Sequence, residues 1–126
     1  ARKPFSLKEK PDVIVTETTL GPPLEKRPPL KDIQKMRSDN ESLQADFLRN
    51  VSETLPGVPV VCTFPVWYSS KGRTELVKIW KVIEELGFTP VLPNGITVAE
   101  NAEHTSIVYR RPDQFVGREV VILMPR

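Results

Sequence analysis

Two β-branched apolar runs with an amphipathic stripe between them constrain this chain more than any other feature. "DVIVTE" (12–17) and "VPVVCTFPVW" (58–67) are too continuous to alternate between a wet and a dry face. Each reads as a strand buried on both faces, the kind found inside a parallel sheet, the second interrupted or ended near Pro65. Between them Leu43, Phe47, Leu48, Val51 and Leu55 follow helical spacing. "SDNE" (38–41) matches a capping box with Ser38 at the N-cap, and "PG" (56–57) ends the helix. A strand, a crossover helix and a second strand imply a parallel pair.

The pattern then repeats. Leu76, Ile79, Trp80, Ile83 and Leu86 form one apolar stripe of a second helix over about 74–86, with Gly87 placed as its C-terminal cap and Trp80 in the core. "FTPVLP" is a short third strand, and "SSKGR" (69–73) a polar turn. A further strand at about 105–110, the connection "PDQFVG" (112–117) and a final strand "REVVILMP" form a hairpin, which must be antiparallel. The order is β-α-β-α-β-β-β, or β-α-β-α-β-β with one short strand merged. The expected class is α/β, with a mixed sheet of four or five strands and crossover helices, parallel except for the C-terminal antiparallel hairpin. Residues 1–10 are a basic lead-in and 11–126 a single domain. Residues 21–37 are a Pro-rich loop, with four prolines in the eight residues 22–29. Long loops in compact domains are more often functional than decorative.

Composition narrows the function classes. A net charge of +2, from 18 basic and 16 acidic residues, is too weak to imply nucleic-acid binding by itself. No apolar run approaches a membrane span and no signal-peptide pattern opens the chain. The single cysteine, Cys62, excludes a disulfide framework and reads as a small buried hydrophobe; a reducing, cytoplasmic home is expected. His104 is the only histidine, and no metal or Ser–His–Asp constellation is visible from spacing.

The stretch "VTETTLGPPL" (15–24), at the end of the first strand, resembles the catalytic motif of class I S-adenosylmethionine-dependent methyltransferases. It is most similar to the motif of RNA methylases related to the THUMP-associated tRNA guanine-N2 methyltransferases, and "YRRPDQFVGREVVIL" (109–123) resembles their terminal hairpin. The resemblance covers most of residues 11–125 and implies the second half of that fold: strand 4, helix, strand 5, helix, then an antiparallel strand 6–7 pair. In amino-methylating members an Asp or Asn, two prolines and an aromatic hold an exocyclic amine and aim its lone pair at the methyl donor. Carried over, Glu17 is the acceptor, flanked by Thr16 and Thr18. Thr18 and Thr19 stand where the prolines would be, Leu20 where the aromatic would be, and Gly21 at the glycine. The other reading is that "TETT" ends a strand, its hydroxyls satisfying local backbone groups.

The resemblance also implies a substrate side. Lys26 and Arg27 in the Pro-rich loop, with Arg110 and Arg111 at the hairpin, would meet tRNA phosphates; the alternative is a solvated surface. Trp67 and Tyr68 would stack on a base, or else cover a sheet edge. The Gly-rich turn and acidic residue with which the family binds its cofactor have no counterpart here. S-adenosylmethionine is therefore expected for the complete enzyme and not for this chain alone. The expected partners are RNA (tRNA) and either a cofactor-binding half or a second copy, but no membrane. The first strand should form a sheet edge that invites pairing. A non-enzymatic α/β binding or scaffold module is the second hypothesis. An unrelated flavodoxin-like domain, which would have parallel final strands, is the third.

Overall fold

The computed structural model describes residues 7–21, 24, 26–70, 72–98 and 102–125. Part of the lead-in (1–6) and part of the Pro-rich loop (22, 23 and 25) lie outside the described residues; Leu7–Lys10 form no regular element. The order is β1 (Ile14–Glu17), α1 (Leu30–Thr54), β2 (Val60–Ser69), β3 (Gly72–Thr74), α2 (Ile79–Glu85), β4 (Phe88–Val91), β5 (Ile107–Tyr109) and β6 (Val116–Pro125). The class is α/β, with two helices and one six-stranded mixed sheet.

β1 pairs with β2 in parallel, from Ile14 opposite Val60 to Glu17 opposite Thr63. β6 runs antiparallel to β2 from Val60 opposite Leu123 to Trp67 opposite Val116. Beyond β6 lie β4 and, nearer its start, β5, both antiparallel to it. β3 folds back on the end of β2. The antiparallel terminal hairpin is present as β5–β6, which tells against the flavodoxin-like alternative. The rest of the expected sheet is corrected: it has six strands, and β1–β2 is the one parallel pair among the described residues. β1, β2 and β4 do run in the same direction, but β6 lies between β2 and β4. "VVILM", apolar on both faces, takes the interior position that such a run demands.

Both helices depart from the sequence pattern at their starts. α1 begins at Leu30, so residues 30–37 are helical and the irregular part of the Pro-rich segment is shorter than expected. Its N-cap is Pro29, which makes no side-chain cap bond; the fully buried Ile33 anchors the first turn instead. Ser38 lies mid-helix. Glu41, its expected capping partner, accepts backbone N–H bonds from Val77 (2.5 Å), Lys78 (2.6 Å) and Ile79 (3.4 Å), tying α1 to the start of α2. α2 is correspondingly short: residues 75–77 before it form no regular element, though Leu76 is buried.

Residues opposite one another in an antiparallel pair share a face. Val60, Cys62 and Phe64 thus share one with Leu123, Val121 and Glu119, and that face packs against Phe47, Leu48 and Val51 of α1 and Ile79 and Ile83 of α2. Each large apolar side chain fully buried there contributes about 1.5–3 kcal/mol. Burial pushes the Cys62 thiol up to about 12, so it packs as a hydrophobe and carries no thiolate at neutral pH. On the opposite face Val61, Thr63, Val120 and Ile122 are only half-buried, and Val15 is 73% exposed. The expectation that the first strand is buried on both faces is therefore corrected: as an edge strand with no layer on that side among the described residues, β1 leaves it to solvent. Pro65 is accommodated because it lies past the last residue that β1 pairs, Thr63. Among the described residues no helix is long and apolar enough to cross a membrane.

Candidate functional site

Polar residues gather at two places, both shaped by where strands end. The first is the C-terminal end of β1. Glu17 is the last residue of the strand, and its Oε1 accepts a hydrogen bond from Arg118 Nε at 2.9 Å, both side chains being partly exposed. Thr16 lies opposite Cys62 in the β1–β2 register. Thr18 accepts a short hydrogen bond from Gln44 Nε2, and the same nitrogen donates to Asn40 Oδ1 at 3.2 Å. Asn40 Nδ2 in turn donates to the Thr19 carbonyl at 2.8 Å. Thr19 Oγ1 accepts from the Gly21 N–H at 3.0 Å, and Gly21 has a φ of 92°, a conformation that suits glycine. Two buried amides on successive turns of α1 therefore hold the loop that leaves the strand.

The remaining residues expected at a site fall into separate groups. Leu20 and Gly21 line a 340 Å³ cavity with Leu24, Phe115 and Arg118. Trp67 is 1% exposed and belongs to the core, but it lines a neighbouring 260 Å³ cavity with Thr19, Gly21, Met36 and Asn40. Tyr68 is half-buried, with the Arg110 guanidinium 3.9 Å above its ring. Arg110 Nε also donates to the Gln114 carbonyl. Close packing there relies on Gly117, where a Cβ would lie 2.8 Å from the Tyr109 carbonyl oxygen. Lys26, Arg27 and Arg111 are exposed. Glu17, Thr18, Leu20, Gly21 and Trp67 thus share the end of the β1–β2 pair. Tyr68 and Arg110 pair with each other, and the basic loop residues are solvated.

The second place is a 550 Å³ cavity lined in part by Arg37, Arg73, Glu75, His104, Ser106 and Glu119. Glu119 is 1% exposed. Ser106 Oγ donates to its Oε2 at 2.5 Å, while Oε1 has no hydrogen-bond partner among the described residues. Burial pushes the Glu119 carboxyl up to about 7; the Ser106 bond opposes this, the charge of Glu75 adds to it and that of Arg73 lowers it. Arg73 Nε meets Glu75 Oε1 at 2.6 Å. The His104 ring stacks on Trp80, centroids 4.2 Å apart and 10° from parallel, and Trp80 stands edge-on to Phe64. Glu75, His104 and Glu119 each offer a donor atom within 4.8 Å of the others.

Spacing along the chain did not reveal this second cluster, because its members come from positions 37, 73–75, 104–106 and 119. One signal was present. Inward positions of the last strand alternate through Leu123 and Val121, and the same period puts Glu119 inside. The chain matches no protein-family model, no curated protein and no solved structure.

Proposed function

We propose that this chain is the substrate-side half of an S-adenosylmethionine-dependent RNA N-methyltransferase acting on tRNA. The observation that carries the reading is the placement of Glu17. It ends an edge strand, β1, whose one described neighbour is β2, and α1 follows after a polar turn. Crossover helices linking β1, β2 and β4, and an antiparallel β4–β6 pair, further support it. Glu17 would accept hydrogen bonds from an exocyclic amine with the carboxylate oxygen that Arg118 does not hold, Arg118 fixing its direction. Leu20 and the cavity beside it would receive the flipped base. Lys26, Arg27 and Arg111 would contact phosphate.

The residues present do not build a site for S-adenosylmethionine. Gly21 is a lone glycine at the strand end, and no further strand flanks the free side of β1 among the described residues. A second polypeptide segment would have to hold the methyl donor, so no step through it is derived from this chain. The test is methyl transfer from labelled S-adenosylmethionine to unmodified tRNA by this chain combined with a cofactor-binding segment, alongside filter binding of the same tRNA. Glu17→Ala, which removes the acceptor, should leave tRNA binding intact and lower transfer by about 10²-fold or more. Equal transfer by wild type and Glu17→Ala would overturn the role of Glu17.

A second reading is favoured by a specific observation. The Thr18 and Thr19 oxygens are engaged with Gln44, Asn40 and Gly21 inside the fold, and an aliphatic residue stands where stacking is needed. A non-enzymatic α/β module, binding RNA or self-associating through the β1 edge, has the same construction. RNA binding without transfer in any such combination would select it.

A further inference from the structure

Glu119, which lines the cavity beside β3 and β5, has a carboxylate oxygen with no hydrogen-bond partner among the described residues. Buried polar atoms are nearly always hydrogen-bonded; Gln44 Oε1, Thr63 Oγ1, Trp67 Nε1 and Trp80 Nε1 are likewise without a partner among the described residues, and Glu119 Oε1 is the one that belongs to a carboxylate. Glu119 is 1% exposed, lines a 550 Å³ cavity, and has an Oε1 with no partner. Near it stand His104 and Glu75, and one donor atom from each of the three lies within 4.8 Å of the others, the one such set among the described residues. One imidazole nitrogen with carboxylate oxygens is a mixed donor set suited to Zn²⁺ or Mn²⁺. Mg²⁺ and Ca²⁺ prefer oxygen alone.

We propose that Glu75, His104 and Glu119 form a binding site for a divalent transition-metal cation, Zn²⁺ or Mn²⁺, with its remaining coordination positions open to the cavity. This does not depend on the methyltransferase reading. Each carboxylate has a hydrogen-bond partner that orients it, as metal ligands usually do, and the imidazole has a stacking partner. Ser106 holds the other oxygen of Glu119, Arg73 holds one oxygen of Glu75, and Trp80 fixes the ring plane of His104. The Arg73 bond leaves the second Glu75 oxygen for the metal. With ligand bonds of about 2 Å the donors must draw closer than 4.8 Å. Glu75, between β3 and α2, and His104, in the coil before β5, can supply that movement while β6 holds Glu119. Without a cation, Arg73 is the positive charge that acts on the two carboxylates, and Arg37 lines the same cavity.

The test is calorimetric titration of the metal-stripped protein with ZnCl₂ and, separately, MnCl₂. One saturable equivalent is expected with at least one of them. Co²⁺ as a substitute should give visible absorption that shifts in His104→Ala. His104→Ala and Glu75→Gln should each weaken binding at least about tenfold. Glu119→Gln, which keeps the shape of the buried side chain, should do the same. Glu103→Gln, on the cavity wall but outside the donor set, should leave it unchanged. Circular dichroism of each variant separates lost binding from lost fold. Absence of saturable binding by both metals overturns the proposal, and so does binding that survives both His104→Ala and Glu75→Gln in folded protein.

Discussion

The end of β1 and the cavity around Glu119 are both polar, but they use polarity in opposite ways. At β1 the groups that hold the loop are paired, Glu17 with Arg118, Thr18 with Gln44, the Thr19 carbonyl with Asn40 and the Thr19 hydroxyl with Gly21, and the neutral amide oxygen of Gln44 is left without a partner among the described residues. Around Glu119 a buried carboxylate on a cavity wall keeps one oxygen unpaired among the described residues. Paired groups stabilise a loop without needing anything further. An unpaired buried carboxylate costs stability, and such a cost is commonly carried where a ligand or chemistry uses it. The atom left over at the strand end belongs to a neutral amide and the one at the cavity to a carboxylate, so it is the cavity that a bound cation would complete.

The largest expected effect tests the incomplete side. The Glu119 carboxyl is raised from 4.5 to about 7 in the folded protein, chiefly by burial. Below pH 4.5 it is protonated in both states and costs nothing. Between 4.5 and about 7 the unfolded chain gives up its proton first, so stability falls as pH rises, and above 7 the loss is complete. At 1.36 kcal/mol per unit the full loss is about 3 kcal/mol. Urea unfolding at pH 5 and pH 8, without added metal, should show a decline of that order in wild type and a much flatter profile in Glu119→Gln. Equal pH profiles for the two proteins would remove the contrast.

Much of this contrast could not be read from the chain. The helix stripes, both major strands and the terminal hairpin followed from period and punctuation, while the edge position of β1 was expected only from the family resemblance. The place of β6 between β2 and β4 did not, because apolar runs specify burial and not neighbours. The start of α1 was missed for a related reason. "SDNE" has the form of a local cap, but Ile33 buries one turn earlier, and Glu41 is used across space by Val77 and Lys78. The strand-end candidates were legible as a contiguous motif. Glu119, His104 and Glu75 were not, since they meet only after the sheet forms.

A middle-sized effect probes the paired side. Gln44 is fully buried and joins Thr18 to Asn40, and Asn40 holds the Thr19 carbonyl. Gln44→Ala or Asn40→Ala should cost about 1–3 kcal/mol, because each leaves buried groups without partners. Hydrogen exchange at the Gly21 amide should rise in both variants while amides in β6 stay protected. If the cost fell below a few tenths of a kcal/mol, the loop would be held by something other than α1.

The smallest effect on stability is expected at Arg118. Its bond to Glu17 is partly exposed on both sides, and such pairs contribute about 0.2–1 kcal/mol. Arg118→Ala should therefore change the urea midpoint little. If Glu17 serves only the fold, the substitution should have no other consequence. If Glu17 accepts a substrate amine, removing the group that aims it should lower methyl transfer without altering the melting temperature, and Arg118→Lys, which keeps the charge but not the fixed guanidinium geometry, should restore only part of the loss. A change in rate with no change in stability cannot come from a residue that merely closes a strand. The pair of substitutions therefore decides whether the strand end is as self-sufficient as its hydrogen bonds make it look.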